Sequence, residues 1–131
     1  MIDASALAKF VLKEPSWKNL KKYLRDSVSV DHVFKEVANS IWKTYRRGFI
    51  TLEDAKRKYE ALKLLVENVI EIVDEREFMD RAFKIALKNN ITIYDALYIA
   101  LSQEKELTLL TSNHLQAKTA EKLGIQVIKP E

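Results

Sequence analysis

Apolar residues recur along this chain in two rhythms, a helical one and a short alternating one, and the two take turns from end to end. Met1-Ile2-Asp3-Ala4 reads as a very short strand ending at an acid, and Ser5 to Leu12 is apolar at helical spacing. Beyond Pro15-Ser16, the residues Trp17, Leu20, Tyr23 and Leu24 recur three and four apart and predict a second amphipathic helix. Val28-Ser29-Val30 alternates as a strand, and Asp31 is a suitable N-cap for a helix with Val33, Val37, Ile41 and Tyr45 on one stripe, closing at Arg46-Arg47-Gly48. Thr51-Leu52-Glu53-Asp54 is a capping box, opening a helix to about Val66 whose apolar positions are Leu52, Ala55, Tyr59 and Leu62. Val69 to Val73 is the clearest strand, after which Asp74 and Glu77 cap a helix to about Lys88. The run from Ile91 to Leu101 opens a helix ending between Gln103 and Lys105. Leu107 to Thr111 is a buried-type strand, Ser112 or Asn113 caps a helix that stops at Gly124, and Ile125 to Ile128 is the last strand, before Pro130.

Strands alternating with helices long enough to cross over predict an α/β fold, a three-layer sandwich with a parallel central sheet of about five strands flanked by helices. The 131 residues suit a single domain over 1–131, with no repeat, linker or low-complexity segment. Only 2 Gly and 2 Pro, with 47% hydrophobic residues, favour regular structure and short turns over disorder. The absence of cysteine rules out disulfides, a thiolate nucleophile and cysteine-ligated zinc. No apolar run approaches the roughly 18 residues of a membrane span, and Met1-Ile2-Asp3 does not begin a signal peptide, so the expectation is a soluble cytoplasmic protein. A net charge of +3 is compatible with a polyanionic partner without requiring one.

Asp95 changes the picture, because it is one carboxylate inside an otherwise apolar helical run. A carboxylate taken out of water needs a cation, donors or a metal beside it. Thr92-Ile93-Tyr94-Asp95 also fits a capping box, which would turn Asp95 back on the backbone and give it no other task. In an open parallel sheet ligands bind outside the carboxyl ends of the strands, and Asp3 and Thr111-Ser112-Asn113 close two strands at that edge. Glu36 and Asp95 lie in the first turns of helices that start at the same rim. Each has a plainer reading too: Asp3 and Asn113 as caps, Glu36 as a boundary residue beside Val33, Val37 and Ser40 with its carboxylate in water. Together, two inward acids that would repel each other call for a cation between them, and oxygen ligands select Mg²⁺ or Mn²⁺ over zinc.

Other chemistries lack their residues. There is no Gly-rich phosphate loop, no Gly-x-Ser-x-Gly elbow and no His-Glu-x-x-His, and of the two histidines, His32 and His114, the latter stands at a helix start. A phosphatase or phospho-receiver is disfavoured because Asp3-Ala4-Ser5 has no second Asp nearby.

Over its whole length the chain resembles the PIN-domain family, and within it the VapC-type toxins. The resemblance rests on Ile2-Asp3-Ala4-Ser5, on Glu36, on Ile93-Tyr94-Asp95-Ala96-Leu97-Tyr98-Ile99-Ala100, and on Leu109-Leu110-Thr111-Ser112-Asn113. It implies an RNA endonuclease using Mg²⁺ or Mn²⁺, usually a homodimer, neutralised by a small VapB-like antitoxin. By position, Asp3, Glu36 and Asp95 are then the metal-binding acids and catalytic residues, with Ser5 and Thr111 as hydroxyls orienting ligands or water. Asn113 departs from the family, which usually has Asp there; an amide oxygen can ligate a hard cation, but with one fewer charge.

Lys43, Arg46 and Arg47, followed by Lys56, Arg57 and Lys58, either steer RNA phosphates or form a solvated helix surface. Trp42, Tyr45 and Phe49 offer aromatic surface to an antitoxin segment or second subunit, or join the core. The alternative from another class is a catalytically weak PIN fold that binds RNA or protein without cutting.

Overall fold

A computed structural model describes residues 1–130. Its sheet is built around the first three residues. Strand β1 (Val28–Val30) pairs in parallel with β2 (Glu71–Val73), and β3 (Leu109–Leu110) in parallel with β4 (Val127–Ile128). Residues 1–3 join these pairs: Ile2 N–H donates to Val28 O at 2.9 Å, Leu110 N–H to Met1 O at 2.7 Å and Asp3 N–H to Leu110 O at 3.1 Å. Ile2 and Leu110 form a parallel bridge, and the buried Ser29 hydroxyl donates to Ile2 O at 2.7 Å. The row is therefore β2, β1, residues 1–3, β3, β4, four strands and one bridging segment where about five strands were expected. The chain winds outward to one side of residues 1–3, then returns to the other. That reversal opens a crevice between the ends of residues 1–3 and β3.

The helical stripes account for most of the packing. Helix α1 (Ala4–Val11) buries Ala4, Ala6, Leu7, Ala8 and Val11. The Trp17 segment is a 3₁₀ turn (Trp17–Leu20) leading into a short α2 (Lys21–Leu24) rather than one amphipathic helix. Ser16 enters that turn at φ 73°, and Trp17 packs edge-on against Phe10 at 5.4 Å, which sets the course of this connection. Helix α3 (His32–Arg46) buries Val33, Val37 and Ile41, whereas Tyr45 lies 39% exposed at its outer end. Asp31, expected to cap α3, makes no side-chain cap bond; its Oδ1 accepts Glu75 N–H at 3.0 Å and ties the exits of β1 and β2 together.

Helix α4 (Leu52–Asn68) starts with the expected capping box of Thr51 and Asp54. It runs past Val66, so Val69 closes the helix and β2 begins only at Glu71. Of its apolar positions only Leu62 is buried; Leu52 and Tyr59 stay 50% and 40% exposed on a surface shared with α3. After Asp74 caps a 3₁₀ turn (Glu75–Phe78), α5 (Met79–Asn89) packs along α6 (Ile93–Lys105). Helix α6 buries every residue from Ala96 to Ser102, so its middle two turns are enclosed on all sides while its ends stay open. Helix α7 (His114–Lys122) completes the α/β sandwich.

Candidate active site

Asp3 is the last residue of the central segment and the N-cap of α1, and it is 3% exposed. Its Oδ1 accepts Ala6 N–H at 3.0 Å and the Ser5 hydroxyl at 2.7 Å, so the capping reading holds for that oxygen. Ser5 Oγ lies 3.1 Å from Thr111 Oγ1 at the end of β3 and accepts Ser112 N–H at 2.9 Å. These hydroxyls link the start of α1 to the loop after β3, across the crevice where strand order reverses. Burial pushes the Asp3 carboxyl up to about 6, against the hydrogen bonds of Thr111, Ser5 and Ala6, and the charge of Asp95 adds to the rise.

Glu36 sits on α3, and Asp95 in the first turn of α6. At the start of α6 Thr92 Oγ1 accepts Asp95 N–H at 3.2 Å, which is one half of a capping box. Burial raises the pKa of Asp95, opposed by the Thr92 hydroxyl. Burial also raises that of Glu36, opposed by Tyr98 and His32 and reinforced by Asp95. The Tyr98 hydroxyl donates to Glu36 Oε1 at 2.8 Å, and His32 Nε2 lies 3.2 Å from the same oxygen. Tyr98 itself is driven far up, first by burial, then by Glu36, Asp3 and Asp95. One phenol thus feels all three carboxylates.

Asp3 and Asp95 have no ion pair among the described residues. Nor do any three His, Asp or Glu side chains there stand close enough to form a ready-made ligand cluster. Glu36 is drawn to Tyr98 and His32, and Asp3 to its own helix. The donors are nevertheless all oxygen, negatively charged and uncompensated by lysine or arginine, which suits a hard divalent cation.

The PIN domain family profile matches residues 1–122. The chain belongs to the PIN domain family. Ribonuclease VapC3 of Pyrobaculum aerophilum is 31% identical over 125 residues, covering 93% of this chain and 92% of that protein. Exonuclease VapC9 of the same organism is 26% identical over 130 residues, covering 98% of this chain and 91% of the relative. The fold also matches the crystal structure of PAE2754 from Pyrobaculum aerophilum, with a TM-score of 0.73 at 22% identity over 96% of this chain and 87% of that one.

In this PIN domain Asn113 is the exposed N-cap of α7, its Oδ1 accepting Gln116 N–H at 3.0 Å. Lys43, Arg46 and Arg47 are exposed at the far end of α3, seven to eleven residues beyond Glu36, or about 10–16 Å along a helix axis. The structure does not bring them to the acids. Lys58 is engaged elsewhere, its Nζ 3.4 Å from Val11 O at the end of α1. Trp42, Tyr45, Leu52 and Tyr59 line a groove of about 430 Å³ between α3 and α4, while Phe49 is 77% exposed at the turn joining them. His114 is exposed at the start of α7.

Four residues at the site escaped the sequence reading. Tyr98 and His32 hold Glu36, Tyr94 stacks on His32 with centroids 4.7 Å apart and rings 13° from parallel, and the Gln116 amide donates to the Asp95 carbonyl at 2.9 Å. His32 stands four residues before Glu36, a spacing visible in the sequence. Nothing comparable marks Gln116, which is 3% exposed and whose Oε1 has no partner.

Proposed function

We infer that the protein is a divalent-metal-dependent endoribonuclease, a cytoplasmic toxin of a toxin–antitoxin pair. The observation that carries this reading is the set of three carboxylates, Asp3 buried and Glu36 and Asp95 partly buried, without a lysine or arginine partner among the described residues, around the crevice where strand order reverses. The VapC3 and VapC9 relatives, named as nucleases, support it.

Asp3, Glu36 and Asp95 would hold Mg²⁺ or Mn²⁺, with Asn113 as a further candidate whose oxygen is already engaged as a cap. Bound there, the ion supplies positive charge against the negative charge that builds on the phosphate during phosphodiester hydrolysis. The chain's own residues do the positioning. Ser5 and Thr111 fix the Asp3 carboxylate. Tyr98 and His32 both engage Oε1 of Glu36, which leaves Oε2 to orient the attacking water. The groove between α3 and α4, with its exposed aromatics, is the surface for a VapB-like antitoxin segment, and a second copy completes a homodimer. Lys43, Arg46 and Arg47 would meet RNA away from the cut.

The test is cleavage of circular and linear RNA with Mg²⁺ or Mn²⁺. Cutting of the circle, abolished by EDTA and by Asp95→Asn in a protein with unchanged circular dichroism, is the expected result. Wild-type activity in Asp95→Asn would overturn the site assignment. Degradation of linear RNA alone would make the protein an exonuclease, and metal-independent RNA binding without cleavage would make it a binding module. A short reading frame just upstream, encoding a small basic or ribbon-helix-helix protein, is expected for the toxin role.

A further inference from the structure

Tyr94 has the geometry of a plate that is finished on one side only. Its ring lies nearly parallel to the His32 imidazole, 13° apart with centroids at 4.7 Å, yet Tyr94 remains 58% exposed. With His32 against one face, that exposure falls on the other face, the ring edge and the hydroxyl. The covering ring is fixed: the His32 side chain is 16% exposed, and its Nε2 rests 3.2 Å from Glu36 Oε1. Tyr94 also precedes Asp95 directly, in the first turn of α6. An open aromatic face is thus held one stacked ring from Glu36 and one residue from Asp95.

We propose that Tyr94, backed by His32, is a stacking plate for one unpaired base of the RNA, in a nucleotide flanking the scissile phosphate. The inference rests on the nuclease reading above and names what that site selects. Every base has a π face, so a bare aromatic plate binds without choosing sequence. A base inside a duplex is already stacked on both sides, so the plate favours single-stranded or splayed RNA over a helix. Because His32 is held by Glu36, the plate is aligned before RNA arrives, and stacking is converted into placement of the phosphate near the acids.

The experiment compares steady-state cleavage by the parent protein and by Tyr94→Ala, Tyr94→Leu, Tyr94→Phe and Tyr94→Trp. In parallel, quenching of 2-aminopurine is measured in short single-stranded RNAs that carry it at each position in turn, bound to the same variants in an Asp95→Asn background. Tyr94→Ala and Tyr94→Leu are expected to raise KM about 5- to 100-fold with kcat changed much less, and to lose the quench at one position. Tyr94→Phe and Tyr94→Trp should keep the parent KM. The leucine variant retains bulk without a π face, so a loss in alanine alone would mark packing and overturn the proposal. Unchanged KM and quench in both variants would overturn it, as would a shift from dimer to monomer with KM unchanged, which would make Tyr94 a subunit contact. The two readings fail separately. A parent protein that neither binds nor cuts RNA withdraws both, whereas undiminished cleavage by Tyr94→Ala and Tyr94→Leu withdraws only the plate.

Discussion

The Tyr98 hydroxyl donates to Glu36 Oε1 at 2.8 Å, and so couples the central helix α6 to α3 across 62 residues of sequence. Tyr98 stands three positions after Asp95, so one helical turn presents an acid and the phenol that holds a second acid. Tyr98→Phe keeps the ring in the core and removes only the donor. The expected result is a loss of about 1–3 kcal/mol in stability and a fall in kcat of about 10- to 100-fold, from a Glu36 no longer held in place. Chemical denaturation and single-turnover cleavage check this. A stability loss with unchanged kcat would give the bond a structural role alone.

Asp3 sets a pH dependence of stability. Its folded carboxyl titrates near 6 against an ordinary 3.8, so between those values the folded chain binds more protons than the unfolded one. The stability this proton provides is fully present below about 4 and lost as pH rises through about 6. Glu36 and Asp95, also raised, act in the same direction. In EDTA the Tm should therefore fall from pH 4 to 7 on account of these groups. Asp3→Asn, which can still accept from Ala6 and Ser5, should flatten the slope and stabilise the metal-free protein at pH 7 by up to about 3 kcal/mol. Thermal melts across pH measure both.

Asn113→Asp adds a negative charge at this place without disturbing the cap, since Asp and Asn serve equally well there and an anion suits a helix N-terminus. Stability should change by less than about 1 kcal/mol, while Mn²⁺ affinity measured by calorimetry rises several-fold. Unchanged affinity would remove position 113 from the ligand set.

Gln116→Met deletes the bond to the Asp95 carbonyl together with the unpaired Oε1. Losing a donor and an orphaned acceptor together should leave stability within about 1 kcal/mol of the parent. Cleavage should nevertheless fall several-fold, because α7 no longer braces the start of α6. Melting and kinetics on the same preparation separate these effects.

The parts legible in the sequence are those governed by local spacing. The stripe of Val33, Val37 and Ile41 is buried as its period requires, and Thr51 and Asp54 close their box because three residues suffice to define it. Asp3 and Thr111 could be placed at one edge from strand direction alone, and they do share the crevice. Asp31 could not be read, because the N–H it serves belongs to Glu75, 44 positions away. Leu52 and Tyr59 carry a helical period that promises burial, but the surface they share with α3 leaves them half exposed. The bond from Tyr98 to Glu36 depends on how α3 and α6 meet, which no periodicity encodes, whereas the His32–Glu36 contact follows from a spacing of four along α3.

The central position of residues 1–3 in the sheet also governs the order of events during synthesis. Ile2 bridges Leu110, so the segment that carries Asp3 is made more than a hundred residues before its second neighbour exists. Until then β1 offers it only one edge, and the Ser5–Thr111 contact that steadies the acid is missing. Such long-range closure is slow to form and is made late. A growing chain therefore has Asp3 and Ser5 side by side long before it has Thr111, and the hydroxyl pair that steadies the acid is completed only once the strand after α6 has been made.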